Sequence, residues 1–409
     1  MSPLRTLIAD RIRATGPISV AEYMRLALYH PTHGYYARAS RRTGRAGDFF
    51  TSIDVGPAFG ELLARQFAEM GDILACTSQN VAPPTPDPRS PIPNPQPPIP
   101  NPQPPTPNPR PPPPDFDLVE AGAGSGRLAR DVLDAAARCH TDFYGRVRLH
   151  LVEVSPTARA AQQDTLGPHA RLLASSAETL GSGVRGVIFA NELLDALPTH
   201  TVVMREQGLR ELFVDLADDP SGTAPFVERE MDASTPELAR YLGRASVRLD
   251  PGWRAEINLD AVEWTRRAAA ALDRGFLVII DYGHEAAELY SATHSAGTLT
   301  TFHRHTSGDS ATLMHDPGEH DITAHVDLTT VTRTAEAAGL ETVGRLDQTY
   351  FLLGLGLADM LAQASLKQRL ALKTLMLPGG LGSTLKVLIF GKNVGTPELK
   401  GLSYKERMT

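Results

Sequence analysis

Apolar and polar positions along this chain fall into two regimes, separated by a stretch with no periodicity. Residues 4–28 carry apolar side chains at helical spacing, interrupted at Gly16-Pro17. Ser19, with Glu22 three positions on, has the form of a helix N-cap with a capping box. After a Gly- and Arg-rich loop, residues 60–70 return to helical spacing. From residue 116 onward, short apolar runs at 116–120, 148–154, 186–190, 276–280 and 385–390 read as strands, and 127–137 reads as a helix. The run at 276–280, Phe-Leu-Val-Ile-Ile, is continuous, as in a strand buried on both faces of a parallel sheet. The alternation predicts a doubly wound, mostly parallel α/β sheet over 115–395, with an N-terminal helical cap (1–82) and a tail (396–409). A more polar region at about 205–250 reads as a hairpin plus an inserted helical segment.

Between the regimes lies a proline tract, 83–114, with three tandem seven-residue units beginning at Pro91, Pro98 and Pro105. None of the units has an apolar face, so the tract is low-complexity, extended chain and not a stacked repeat. It reads as an expanded exposed loop in preference to a docking motif for a proline-binding module. A net charge of −7 offers no general attraction to phosphate backbones or anionic lipid, so neither nucleic acid nor membrane is expected as a partner. Only Cys76 and Cys139 are present, too few for a disulfide framework or a cysteine metal site. Arg5, Arg11 and Arg13 hint at a transit peptide, but Asp10 and the helical pattern argue for a first folded helix. A cytoplasmic location is the expectation.

The candidate chemistry begins where the first strand of the core ends. In Leu118-Val-Glu120-Ala-Gly122-Ala-Gly124-Ser-Gly126 the glycines let the backbone turn tightly and approach a ligand at a strand's carboxyl end. Such loops also serve dinucleotides or are merely structural. Three details favour S-adenosylmethionine. The spacing is Gly-x-Gly-x-Gly, with Arg127 where a dinucleotide fingerprint has its third glycine; Glu120 could suit a cationic ligand; and Glu153, at the end of the next strand, could accept hydrogen bonds from two ribose hydroxyls.

Flanking motifs narrow the reading. Ile18-Ser-Val-Ala-Glu-Tyr-Met-Arg25, His30-Pro-Thr-His-Gly-Tyr-Tyr36, Gly47-Asp-Phe-Phe-Thr-Ser52 and Phe59-Gly-Glu-Leu-Leu-Ala-Arg-Gln66 precede the glycine run. After it come Leu151-Val-Glu-Val-Ser155, Asn191-Glu-Leu-Leu-Asp-Ala-Leu-Pro198, Ile280-Asp-Tyr-Gly-His284 and Asp321-Ile-Thr-Ala-His-Val-Asp327. In this order they resemble the MidA-like family, whose mitochondrial members are complex I assembly factors that methylate arginine. The resemblance spans nearly the whole chain apart from the proline tract, the middle insertion and the tail. It implies a class I methyltransferase fold of Rossmann-like type, S-adenosylmethionine as cofactor, and a protein substrate, by analogy a respiratory-complex subunit. The chain departs from the family at Thr51-Ser52-Ile53-Asp54, where Thr-Ser-Pro-Glu is common, and in its glycine loop, where the mitochondrial members read closer to Leu-Gly-Pro-Gly-Arg-Gly. A small-molecule methyltransferase, or an assembly protein that binds the cofactor with little turnover, are the competing readings.

An arginine acceptor needs carboxylates that fork onto the guanidinium. Glu192 and Asp195 follow the strand at 186–190; if a helix starts there, their spacing puts both on one face. They are the candidate acceptor pair, with a plain helix-terminus role as the alternative. Asn191 is placed nearer the cofactor, and Asp281 with Tyr282 at another strand end. Asp48, Thr51 and Ser52 are candidates for the substrate side or simply a structural turn, and Tyr35 and Tyr36 read as packing residues. Of thirteen histidines, His315, His320 and His325 recur every five residues, a spacing that aligns on neither a helix nor a strand face. No metal site is expected from them or from His303 and His305, and His325 reads as orienting a loop near the site.

Overall fold

Runs buried on both faces form the centre of one large sheet, and runs whose two faces pack differently form a second, smaller one. The computed structural model describes residues 2–37, 51–77, 115–218, 226–303, 306–308, 313–377 and 381–404. Asp48, His305 and the proline tract lie outside them.

The large sheet contains β2 (Phe116–Ala121), β3 (Val147–Val152), β4 (Leu173–Ala177), β5 (Val184–Asn191), β10 (Leu272–His284), β14 (Val326–Asp327), β15 (Glu341–Asp347) and β16 (Leu385–Lys392). Its order is β4-β3-β2-β5-β10-β16-β15, with β14 beside the end of β10. The pairs from β4 to β10 are parallel, and β16 runs antiparallel to both its neighbours. The chain builds outward from β2 to β4 and then returns to place β5 on the other side of β2. This reversal opens a crevice at the carboxyl ends of β2 and β5. The expected doubly wound sheet is therefore present.

Helices cover both faces. α3 (Pro57–Thr77) and α4 (Arg127–Cys139) pack on one face, where Phe67 meets Phe189 at 4.9 Å between ring centroids. On the other face, α7 (Leu259–Ala271) and α8 (Leu328–Ala337) cover Val119, Ile188, Leu277 and Ile279. Phe276 through Ile280 are all buried, and each such side chain contributes about 1.5–3 kcal/mol by leaving water.

The second sheet is antiparallel: β1 (Ile18–Ser19), β7 (Gly208–Leu216), β6 (His200–Arg205) and β9 (Arg254–Ile257), with β8 (Phe226–Asp232) also on β7. Alternation along β6 sends Val203 to a core with α1 (Pro3–Thr15) and α2 (Val20–Tyr29), and Val202 to a core with α6 (Glu237–Ala245). Two expectations change here. The N-terminal block is not one cap, because α1 and α2 pack on the inserted sheet while α3 packs on the large one. The insertion is also wider than 205–250, since strands from 200 to 257 are needed to bury both its faces. Ser19 does cap α2, accepting from the Glu22 N–H at 3.2 Å. β11 (Thr300–His303), β12 (Thr306–Gly308) and β13 (Asp321–Thr323) make a small third sheet.

Candidate active site

The loop between β2 and α4 carries three glycines in the left-handed region, Gly122, Gly124 and Gly126 at φ +73°, +50° and +81°. That conformation disfavours any residue with a Cβ. The N–H groups of Gly122 and Ala123 donate to the Val152 carbonyl, which ties the loop to β3. A Cβ on Gly122 would lie 3.0 Å from Leu193, whereas one on Gly124 would meet nothing within 4 Å. Gly124 donates its N–H to Glu153 Oε2 at 2.8 Å, and Glu153 Oε1 accepts from the Ser155 N–H at 2.7 Å. Buried Gln162 holds the loop from behind, donating to the Gly124 carbonyl and accepting from Ser176.

Glu120 does not join this surface. With a two-residue period it shares the β2 face of Phe116 and Leu118, beneath α4, and is buried there. Its Oε2 accepts from the Ala129 N–H in the first turn of α4. Burial pushes its carboxyl up to about 8, and the charges of Glu153 and Asp131 add to this. The structure therefore corrects Glu120 from a cofactor contact to a group that supports the helix behind the loop.

Beside the loop lies a cavity of about 780 Å³. Gly122, Glu153 and Glu192 line it, and Leu180, Leu193 and Trp264 give it apolar surfaces. The size and the mixture suit a nucleoside-sized ligand. A carboxylate at the end of β3 offers acceptors to a ribose diol, and the open face of Gly124 leaves room for chain close to the backbone. The residues present thus fit S-adenosylmethionine. The segment 178–182, which follows β4 and lines the same cavity, was not anticipated, nor were Tyr29 and Tyr36. Tyr35 packs in the core as expected, but Tyr36 faces the cavity and donates to Asp321 Oδ1 at 2.9 Å. Tyr29 donates to the Ala196 carbonyl.

Glu192, on the cavity wall, belongs to a cluster of buried carboxylates with Asp195 and Asp281. No helix starts at Glu192; the chain turns sharply there, with Glu192 itself at φ +51°. Its N–H crosses to the Ile280 carbonyl on β10, and the N–H groups of Leu193 and Leu194 converge on Asp281 Oδ2 at 3.0 and 2.7 Å. Asp281, fully buried, is thus a clasp for the turn and not a substrate contact; burial lifts its carboxyl to about 7 against the pull of those amides. Glu192 Oε1 accepts from Asn191 at 3.0 Å and from the Ser52 N–H at 3.3 Å. Glu192 Oε2, Asp195 Oδ1 and Asn191 Oδ1 are buried with no hydrogen-bond partner among the described residues. Burial raises Glu192 to about 8 and Asp195 well above its usual range, and the charges of Asp281 and Glu192 lift Asp195 further. Burial and those same carboxylates also push the Tyr282 phenol up.

Thr51 and Ser52 divide their roles. Thr51 forms a capping box with Asp54, and Asp54 pairs with Arg127 at 2.8 Å, which pins the turn to the start of α4. Ser52 gives its N–H to Glu192 and its hydroxyl to Gln348. His325 stands apart from the cavity, against His284 and His294; burial and these neighbours push it down to about 4.

The raised carboxyls carry a stability consequence. A carboxyl whose folded pKa lies above its unfolded one contributes stability below the unfolded value and loses it as pH rises through the folded value. For Glu192 that window runs from its ordinary 4.5 to about 8. The melting temperature of the ligand-free protein should fall between pH 5.5 and 8.5, and fall less in Glu192→Gln. Parallel scanning calorimetry of the two proteins checks this; identical slopes would mean Glu192 titrates normally.

A profile of the family described as “Putative S-adenosyl-L-methionine-dependent methyltransferase” matches residues 106–346. The chain is 29% identical over 389 residues to the mitochondrial “protein arginine methyltransferase NDUFAF7 homolog” of Drosophila melanogaster, covering 88% of this chain and 75% of that one. Against the human protein arginine methyltransferase NDUFAF7 the identity is 28% over 383 residues, with 87% and 74% covered. A crystal structure from Burkholderia thailandensis, of a “likely methyl transferase” bound to S-adenosyl-homocysteine, superposes with a TM-score of 0.78 at 27% identity, covering 99% of this chain and 95% of that one. With the profile matching more than half of its length, the chain belongs to this family and is an S-adenosylmethionine-dependent methyltransferase.

Proposed function

We propose that the protein methylates a guanidinium nitrogen of an arginine side chain in a partner protein. The observation that carries this reading is the pair of buried carboxylates, Glu192 and Asp195, each with an oxygen lacking a partner among the described residues. Such oxygens are costly to leave unsatisfied, and a planar cation with five N–H donors satisfies two carboxylates at once. Relatives named as protein arginine methyltransferases, at 28–29% identity, point the same way. By the same likeness, a subunit of a respiratory-type complex is the partner to try first.

The bound cofactor supplies an electrophilic methyl group on a sulfonium. The protein's own residues have three tasks. Glu153 and the glycine loop hold the ribose end. Glu192 and Asp195 orient the guanidinium with one nitrogen toward the methyl, so that the N–C bond forms as the S–C bond breaks. The methylated guanidinium then carries a surplus proton, and Glu192, whose ionised form the bound guanidinium favours, is placed to take it. Asp281 keeps the turn in place through the Leu193 and Leu194 amides.

The test is incubation with methyl-labelled cofactor and arginine-containing peptides or cell extract, followed by mass spectrometry of hydrolysed protein. Methylarginine in the protein fraction is the expected result. Label found only in small molecules would replace this reading with a small-molecule methyltransferase. Binding without turnover on any acceptor would replace it with an assembly protein.

A further inference from the structure

We propose that His284, His294 and His325 form a binding site for a divalent transition metal, with Zn²⁺ the best chemical match. The three come from separate segments: the end of β10, the 3-10 turn Ala292–His294, and the residue preceding β14. Parallel pairing of Gly283 with Val326 brings the first and last of these side by side, although they are 41 positions apart in sequence. One ring nitrogen from each histidine lies within 4.8 Å of the other two. Ring centroids are 4.8, 5.1 and 6.1 Å apart, and none of the three pairs is stacked face to face.

Packing alone is a poor account of this arrangement. His325 Nδ1 is shut off from solvent and has no hydrogen-bond partner among the described residues, an expensive state for a ring nitrogen. His284 Nδ1 is likewise buried with no hydrogen-bond partner among the described residues, and the surroundings already select the donor atom of His294. His294 Nδ1 lies 3.1 Å from the Glu288 carbonyl, which leaves its Nε2 free, and a metal-ligating histidine usually holds its second nitrogen in this way. Glu288 Oε1 lies 3.1 Å from His284 Nδ1 and is half-exposed, placed to orient that ring or to supply a fourth donor. Zinc–imidazole bonds of ~2.0–2.1 Å bring tetrahedral nitrogens to roughly 3.3 Å of one another, so closure on a metal needs only side-chain rotations. Three imidazoles favour zinc and its neighbours over magnesium or calcium, which prefer oxygen.

Such a metal would fasten together three segments that lie apart from the cavity but beside the backbone of Asp195. The Ala324 N–H, next to His325, donates to the Asp195 carbonyl at 2.9 Å, so the clamp holds the backbone that presents Asp195. The metal's part is structural and takes no step in methyl transfer.

The test uses the full-length protein stripped with a chelator and titrated with Zn²⁺ alone by calorimetry, and with Co²⁺ by visible absorption. The expected result is one equivalent bound, tetrahedral Co²⁺ bands, and a melting temperature raised by the metal. His294→Ala, on an exposed turn, should keep the metal-free melting temperature while Zn²⁺ affinity falls about 100-fold or more. His325→Gln should lose the Co²⁺ bands as well. No stoichiometric uptake by the wild type, or wild-type affinity in either variant, would overturn the proposal.

Discussion

Glu192→Gln is expected to lower kcat for methyl transfer by about 10³-fold while S-adenosylhomocysteine binds with unchanged affinity. The substitution is nearly isosteric. An amide oxygen at the same place still accepts from Asn191 Nδ2 and the Ser52 N–H, so the turn that Asp281 clasps keeps its form. What disappears is a charge facing the bound acceptor and a base for its surplus proton. Both matter in the transition state more than in the ground state, so the loss should fall on kcat more than on KM. Asp195→Asn should act in the same direction. Glu192→Gly adds a control of a different kind. Glu192 sits at φ +51°, where a non-glycine residue is strained by about 1–2 kcal/mol. Glycine there should raise the melting temperature and still abolish transfer, the behaviour of a residue retained for chemistry at a cost to the fold. Single-turnover assays and scanning calorimetry read the two effects separately. Transfer at wild-type rate in Glu192→Gln would remove it from the acceptor site.

How much of this was legible beforehand depended on whether a feature was local. Phe276 to Ile280 declared a central strand because a run without a polar position has nowhere else to go in a parallel sheet. The turn of the glycine loop and the place of Glu153 beside it were readable because they follow from glycine's left-handed conformation and from position at a strand end. Glu120 was misplaced for a definite reason: nearness to the strand end was weighed, but the face it occupies was not. β4 was missed because an edge strand with exposed Ser175 and Ser176 has no apolar run to show. The partnership of α1 and α2 with the inserted sheet joins residues some 200 positions apart, and no local pattern encodes it. The histidines show the same limit more sharply. Spacing directed attention to His315, His320 and His325, while the rings that meet are brought together by a strand pairing and a turn.

Gly124→Val should weaken S-adenosylhomocysteine binding by about 100-fold, some 2.8 kcal/mol, with a smaller effect on the melting temperature. Two contributions reach that figure. Valine in the left-handed region is strained by about 1–2 kcal/mol, and relaxing that strain moves the N–H now held by Glu153 Oε2. The new side chain also has no protein atom within 4 Å of its Cβ, so it projects into the open space beside the loop, where we expect the ligand to approach the backbone. Gly122→Val is the informative contrast. Its φ is also positive, but its Cβ would press on Leu193 at 3.0 Å, so it should lower the melting temperature first and affinity in consequence. Glu153→Ala completes the set by removing the ribose acceptor without straining the backbone: affinity should drop most, and the melting temperature should fall modestly because the Gly124 and Ser155 N–H groups lose their acceptor. Calorimetric titration beside thermal melts distinguishes these three patterns. If Gly124→Val binds as the wild type does, the cofactor lies elsewhere, and the placing of Glu192 at the methyl-transfer end falls with it.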